Sequence, residues 1–184
     1  MKKYLWVLIA IVVVLSVYVW GAYNSLVNKN EAVVNLWAQV ETQYQRRFDL
    51  IPNLVESVKG IFDQERAVFN ALAEARAKYS GAASVSAKAS AATEVESALS
   101  RLLVVVENYP QLKSAENVQT LMIQLEGTEN RVSVERKRYN DGVRDLNIAV
   151  KRFPTNIIAG IFGFSEQTYF EAASGAENAP QVQF

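Results

Sequence analysis

Apolar residues recur along most of this chain at steps of three and four positions, the spacing that places them on one face of a helix. From Asn24 onward the pattern divides into four segments, which predicts an all-α body. The four apolar stripes run through Leu26, Val33, Trp37, Val40 and Tyr44; then Leu54, Val58, Ile61, Val68, Leu72, Ala75 and Tyr79; then Val95, Leu99, Leu102, Val106 and Tyr109; and finally Val118, Met122, Leu125, Val132, Tyr139, Val143, Leu146, Val150 and Phe153.

Helix-terminating residues separate these segments. Gly81 opens an alanine- and serine-rich linker over 80–92, Pro110 ends the third segment, and Pro154 ends the fourth. Ser114 is expected to cap the fourth helix. Because short connections join neighbouring helices antiparallel, residues 24–153 are predicted to form an up-and-down four-helix bundle.

The most apolar stretch precedes the bundle. Residues 4–23 contain no charge and a single serine, Ser16, with aromatic residues at both ends. About 20 such residues span a bilayer as a helix, which predicts a single transmembrane helix within residues 1–23 that continues into the bundle. A cleaved signal peptide is the alternative, but the run exceeds the usual length and no A-x-A site follows. Lys2 and Lys3 place the N-terminus in the cytoplasm and the bundle outside the inner membrane.

Composition narrows the chemistry available to the chain. It has no cysteine and no histidine, which removes thiolate nucleophiles, imidazole bases and the commonest zinc ligands. Beyond the apolar helix 17 basic residues (19 less Lys2 and Lys3) face 19 acidic ones, so no nucleic-acid partner is expected. No catalytic or phosphate-binding motif is present. The sequence therefore predicts a protein that is not an enzyme and needs no cofactor or metal.

A second apolar stretch, "NIIAGIFGF", covers residues 156–164. Up-and-down topology returns the chain to the bilayer here, so one interpretation is an interfacial segment within 154–170 that touches lipid or a neighbouring subunit. The other is a lid over the open end of the bundle. The candidate contact residues are Ile157, Ile158, Ile161, Phe162 and Phe164. Residues 171–184 are expected to be a flexible tail.

Four ionisable residues interrupt the apolar stripes: Arg47, Glu65, Glu129 and Arg136. Buried charges need partners, and heights estimated at ~1.5 Å per residue suggest the pairs Arg47–Glu129 and Glu65–Arg136. Such pairs can fix register between similar helices. A proton or ion path is the alternative, but it would need ionisable groups within the apolar helix, which has none.

The stretch "QRRFDLIPNLVESVKG" at 45–60 is the one most like a site. A proline belongs in a first helical turn, and Asp49 could cap it, so we expect the corner between the first two helices here, with a kink as the alternative. Arg47 would face inward and Arg46 outward. The corner is also a candidate partner-binding tip, formed by Arg46, Arg47, Asp49, Pro52 and Asn53.

Several stretches together resemble the LemA family of bacterial membrane proteins. The most specific is "RRFDLIPNLV", supported by "YNSLV", "ALAEARAKY", "TENRVSVERKRYNDGVRDLN" and "FPTNIIAGIFGF". The resemblance covers nearly the whole chain to about residue 170, and it implies one membrane helix followed by an extracytoplasmic four-helix bundle. The family has no established activity. Its relatives in magnetosome membrane formation, and its gene neighbours among membrane proteases, imply a role in envelope organisation.

The function predicted is a membrane-anchored scaffold of the cell envelope. It would bind the lipid bilayer and act as a homo-oligomer or through another envelope membrane protein. An accessory or regulatory subunit of an envelope protease or signalling complex is the alternative. A small-molecule sensor would need a pocket between helices, which the stripes do not indicate.

Overall fold

The computed structural model describes residues 2–61 and 65–170, and within those residues the protein is all-helical without a strand. A 3-10 turn, Lys59–Ile61, follows the first helix. The α-helices are α1 (Lys2–Ser57), α2 (Arg66–Gly81), α3 (Val85–Asn108), α4 (Pro110–Lys113), α5 (Glu116–Lys151) and α6 (Thr155–Phe162). The predicted flexible tail at 171–184 lies outside the described residues.

The N-terminal part of α1 is long and apolar enough to cross a membrane by its length and composition. None of its most apolar window is buried within the chain. Its aromatic ends are exposed too, at Trp6 and Trp20. Apolar side chains left uncovered over this length match the hydrocarbon core of a bilayer. The helix is therefore consistent with a single-pass membrane protein.

The described residues fall into two compact units, and the first comprises Met1–Ala38 and Arg138–Tyr169. Leu26 of α1 and Ile158 and Ala159 of α6 form a small core, against which Ala149 and Val150 of α5 pack. Gly163 caps the C-terminus of α6, and its positive φ of 77° suits a glycine and lets the Phe164 N–H donate to the Ala159 carbonyl at 2.9 Å.

The second unit comprises Gln39–Lys137 and Phe170–Phe184, of which the tail beyond Phe170 is not described. Its buried side chains recur at helical spacing on α1, α2, α3 and α5, as the stripes predict. The largest completely buried ones are Tyr44, Leu54, Leu72, Leu99, Leu102 and Leu125. Each buried leucine contributes about 1.5–3 kcal/mol to folding, so this unit depends mainly on apolar burial.

The expected corner at Asp49–Pro52 is wrong, because α1 continues through Pro52 to Ser57. Pro52 removes one helical hydrogen bond, at a cost of about 3 kcal/mol. Ile51, Leu54 and Val58 are all buried, and their burial continues the stripe across the proline and outweighs that cost. The Asp49 carboxylate accepts from Gln45 Nε2 at 2.8 Å and does not cap α2.

Two other predicted helix starts are also wrong. The linker expected over 80–92 is mostly helix: α3 begins at Val85, and the Ser84 hydroxyl accepts from the Ala87 N–H at 3.1 Å as its cap. Its small residues are core, since Ala89, Ala91, Ala92 and Ala98 are buried. Ser114 does not cap α5, because its hydroxyl donates to the Gln111 carbonyl and α5 begins at Glu116.

Candidate functional site

The second unit holds a partly buried cluster of charged and polar side chains, the ion-pair cluster, formed by Tyr44, Arg47, Glu96, Glu129 and Arg136, in which Tyr44 and Arg47 are buried and the Glu129 side chain is 44% exposed. Arg47, 6% exposed, pairs through Nη1 with Glu129 and lies 3.9 Å from Glu96 Oε1. Arg136 Nη2 donates to Glu96 and to the Tyr44 hydroxyl, which donates in turn to Glu96 Oε1 at 3.0 Å. Two arginines and two glutamates balance, so the cluster is neutral.

Aromatic rings close the ion-pair cluster. The Arg136 guanidinium carbon lies 4.4 Å from the ring centroid of Phe170 and 5.4 Å from that of Tyr44. The Tyr44 ring also contacts Tyr79 of α2, with 5.3 Å between centroids. Guanidinium groups over aromatic faces gain about 2 kcal/mol when shielded from water. The rings therefore cover a charge that would otherwise be costly to bury.

The hydrogen bonding of the ion-pair cluster is incomplete within the part of the chain that the structure describes. The Nε atoms of Arg47 and Arg136 are buried there without a partner, and so is the hydroxyl of Tyr79, whose ring contacts that of Tyr44. A buried donor left unsatisfied costs about 1–3 kcal/mol, so the cluster adds less stability than an apolar core of the same size would. The main role of such a cluster is therefore to fix the register, that is, which turns of neighbouring helices face each other.

Burial raises the pKa of the Tyr44 hydroxyl, and the Glu96 carboxylate beside it acts in the same direction. Burial likewise raises the pKa of Tyr79, with Glu41 adding to the effect. Both hydroxyls therefore stay protonated in the folded chain, and Tyr44 can donate to Glu96. A raised pKa means that the associated stability is complete below the ordinary value of 10.0 and is lost as pH rises above it.

We expect an alkaline titration of the folded chain to show a late step in tyrosinate absorbance, because Tyr44 and Tyr79 ionise only as the second unit opens. Tyr44→Phe should reduce the amplitude of that step, while Tyr169→Phe, which alters an exposed ring, should leave it unchanged. Ultraviolet absorbance and circular dichroism recorded together make the measurement. A titration in which all tyrosines ionise in one step before any loss of helix would contradict the prediction.

The structure brings one of the two predicted pairs together. Arg47 meets Glu129, but Glu65 and Arg136 do not meet: Glu65 accepts from the Tyr109 hydroxyl at 3.3 Å, and Arg136 pairs with Glu96. The height estimate placed Glu65 inside a helix starting near Pro52. The residue instead precedes α2, which begins at Arg66, so it lies at the helix end.

Sequence reasoning missed Glu96, which both arginines contact. A signal for it was available, since Glu96 follows Ala92 by four positions and precedes Leu99 by three, which places it on the buried face of α3. The remaining residues of the predicted tip, Arg46, Asp49, Pro52 and Asn53, are exposed along the last turns of α1. These four residues do not form a corner between helices, because α1 continues through them, and their partner-binding role stays a prediction.

Helix α6 presents two different faces in the first unit. Ile158 is buried against Leu26, whereas Ile157, Ile161 and Phe162 are 54%, 72% and 51% exposed. The rings of Phe162 and Phe164 lie 4.8 and 5.9 Å from the ring of Tyr23, at the end of the apolar stretch of α1. The exposed apolar face is therefore next to the segment able to cross a membrane.

A segment without regular secondary structure follows α6 and is clamped along α5. The Asn147 side chain donates to the Gln167 carbonyl at 2.9 Å and accepts from the Gln167 N–H at 2.8 Å. The Tyr139 hydroxyl donates to the Thr168 carbonyl at 2.9 Å, and Lys151 pairs with Glu166 at 2.7 Å. We call residues 165–168 the clamped segment. Side chains of α5 thus supply hydrogen bonds to main-chain groups of this segment, which has no secondary structure to satisfy them.

These features define a class: all-helical proteins whose single long apolar N-terminal helix leads into a body with buried ion pairs. The chain belongs to the LemA family, whose model matches residues 36–184. It is similar to Magnetosome protein MamQ 2 and MamQ 1 of Paramagnetospirillum magneticum, 26% identical to each over 175 residues, covering 81% of this chain and 64% of theirs. Magnetosome protein MamQ of Magnetospirillum gryphiswaldense is 30% identical over 89 residues, covering 47% of this chain and 33% of its own.

Proposed function

We propose that this protein is a non-enzymatic scaffold of the bacterial cell envelope, anchored in the inner membrane by α1 and acting through self-association. The N-terminus would lie in the cytoplasm and the body outside it. The observation that carries the proposal is the exposed apolar face of α6, next to the apolar stretch of α1. An apolar patch beside the membrane-spanning part of α1 can be covered by lipid or by a second copy of the chain. The relatives are named as magnetosome proteins, which favours a role in organising membranes.

The scaffold would be built on an antiparallel up-and-down bundle. Contacts within the second unit support this arrangement. Glu41 of α1 pairs with Lys88 of α3, and Arg47, which comes later on α1, lies near Glu96, which comes later on α3. Tyr44 of α1 contacts Arg136 of α5, whereas Arg47, which comes later on α1, pairs with Glu129, which comes earlier on α5. Such an order is expected when α3 runs parallel to α1 and α5 runs antiparallel to it.

The proposal predicts that replacing Ile161 and Phe162 with serine dissociates oligomers of the full chain. Exposing polar groups where two apolar side chains would be covered should raise the dissociation constant about 30-fold. Mass photometry in lipid nanodiscs over a range of protein concentrations measures it. Val104→Ser/Val134→Ser is the matched control, because both valines are exposed elsewhere on the chain. A wild-type chain that is monomeric at every concentration would overturn self-association.

A second candidate, an accessory subunit of an envelope protease or signalling complex, rests on a groove of about 640 Å³ between α3 and α5. Leu103, Met122 and the exposed Ile123 line it, and its charged lining residues are Arg47, Glu126 and Glu129. These side chains suit an apolar helix of a partner that carries basic residues. Assemblies that contain a second protein and dissociate with Ile123→Ser, while Ile161→Ser/Phe162→Ser has no effect, would favour this candidate.

A further inference from the structure

A second groove, of about 630 Å³, lies in the first unit between α1 and the end of α5. Its lining changes character along its length. Val17, Tyr18, Gly21 and Ala22 come from the apolar stretch of α1, whereas Lys29, Asp145 and Arg152 bring charge. The lining on α1 from Val17 to Lys29 spans about 18 Å at the helical rise. The groove thus combines an apolar lining with charged residues: Arg152 lies near Tyr18, because the hydroxyl of Thr155, three positions later, is 3.4 Å from that of Tyr18, and Lys29 lies further along α1.

The charged part of the lining is basic. Among the described residues, neither Lys29 nor Arg152 has a carboxylate within ion-pair distance, whereas the third charge, Asp145, has Arg144 Nε at 3.6 Å. Two cations and one carboxylate leave a net charge of +1 in the groove. The hydroxyls of Tyr18 and Thr155 lie 3.4 Å apart beside it and can donate to an oxygen ligand.

We propose that this groove binds one anionic phospholipid of the surrounding bilayer, such as a phosphatidylglycerol. Its phosphodiester would lie at Arg152, within reach of the Tyr18 and Thr155 hydroxyls, with Lys29 further along the groove to contact the outer part of the headgroup, and one acyl chain would follow Val17 and Gly21. Basic grooves beside a membrane helix favour anionic headgroups. Gly21 leaves open space for the chain, since an added Cβ there would meet no atom within 4 Å. The proposal rests on α1 spanning the membrane.

The volume and the charge pattern both fit this occupant. Ligand grooves commonly enclose about 300–1,000 Å³ and are mostly apolar with a few convergent polar groups, as here. A free phosphate would use only the charged residues and would leave the apolar lining uncovered. A second copy of the chain would cover the apolar lining but would have to place acidic groups against Lys29 and Arg152. A phospholipid satisfies the apolar and the basic parts of the lining with one molecule.

Native mass spectrometry of the full chain in detergent, titrated with dioleoyl phosphatidylglycerol or dioleoyl phosphatidylcholine, tests the proposal. We expect one phosphatidylglycerol per chain and at least tenfold weaker binding of phosphatidylcholine. Lys29→Gln/Arg152→Gln should weaken phosphatidylglycerol binding about 30-fold, since each interfacial cation contributes about fivefold. The control Arg131→Gln/Lys137→Gln makes the same charge change on exposed residues of α5 outside the groove and should bind as the wild type does.

Gly21→Leu is the second variant, because it fills part of the apolar lining without changing any charge, and it should also weaken lipid binding. Equal retention of phosphatidylglycerol by the wild type and by Lys29→Gln/Arg152→Gln would overturn the site. Dimers lost in Gly21→Leu with lipid binding unchanged would assign the groove to a second copy and would also overturn it. Oligomers recorded in the same spectra separate the two proposals: their absence with lipid still bound rejects the scaffold alone.

Discussion

Replacing Glu96 with alanine should lower the free energy of unfolding by about 3 kcal/mol, because it leaves the buried Arg47 and Arg136 guanidinium groups without their shared carboxylate. This value is the lower end for breaking a buried ion pair, since the Glu96 side chain is 22% exposed. For a chain of this length the midpoint of thermal unfolding should fall by about 10 °C. Circular dichroism of the full chain in detergent measures both quantities.

Glu94→Ala is the matched control for Glu96→Ala. Glu94 lies two positions earlier on α3 and pairs with Lys78 at 2.8 Å, but both side chains are about half exposed. Exposed pairs contribute about 1 kcal/mol or less, so this variant should unfold close to the wild type. The double variant Glu96→Ala/Arg136→Met should regain part of the lost stability, because it removes an arginine left unpaired. Equal losses for Glu96→Ala and Glu94→Ala would contradict the account of the ion-pair cluster.

The second large effect concerns the clamped segment. Asn147→Ala removes both hydrogen bonds to Gln167, worth about 1 kcal/mol each, and should speed amide hydrogen exchange at Gln167 about 30-fold. Alanine is a better helix former than asparagine, so α5 itself should remain intact. Exchange measured by mass spectrometry on peptides covering 164–170 reports the change.

Two comparisons sharpen the Asn147 experiment. Asn147→Asp keeps an acceptor for the Gln167 N–H but puts a carboxylate against its carbonyl, so exchange should rise nearly as far as in Asn147→Ala. Asn130→Ala alters an exposed asparagine on the same helix and should leave exchange at 164–170 unchanged. If Asn147→Ala also left it unchanged, the side-chain clamp would not be what holds the segment.

The helical class, the apolar helix and the buried stripes could be predicted from the sequence, because each depends on periodicity or composition alone. Helix boundaries could not be predicted from the sequence where a local signal, such as a proline, opposes the burial of apolar side chains in the tertiary structure. Pro52 is a strong local stop signal, yet burial of Ile51, Leu54 and Val58 carries α1 past it. Placing the corner too early then shifted every height on the second helix, and Glu65 was assigned the wrong partner.

The site was partly predictable for the same reason. A charge on an apolar stripe is visible in the sequence, so Arg47, Glu129 and Arg136 could be found. Periodicity also places Tyr44 and Glu96 on buried faces, but it does not report which side chains meet across helices, so their hydrogen bonds to each other and to Arg136 could not be predicted. The clamp at Asn147 was not predicted at all, since it binds main-chain atoms of an irregular segment whose position depends on tertiary packing.

The buried alanines of α3 restrict which residues that stretch can accept. Ala89, Ala91, Ala92 and Ala98 are each at most 6% exposed, so a valine or leucine there has no free volume to enter and would cost about 1–3 kcal/mol through crowding. Replacing one of these alanines with the smaller glycine also destabilises the protein, since glycine in a helix interior costs about 1 kcal/mol relative to alanine. A stretch whose composition suggests a tolerant spacer therefore accepts only a narrow range of side-chain volume, and random substitution should damage it more often than the charged surface of α5.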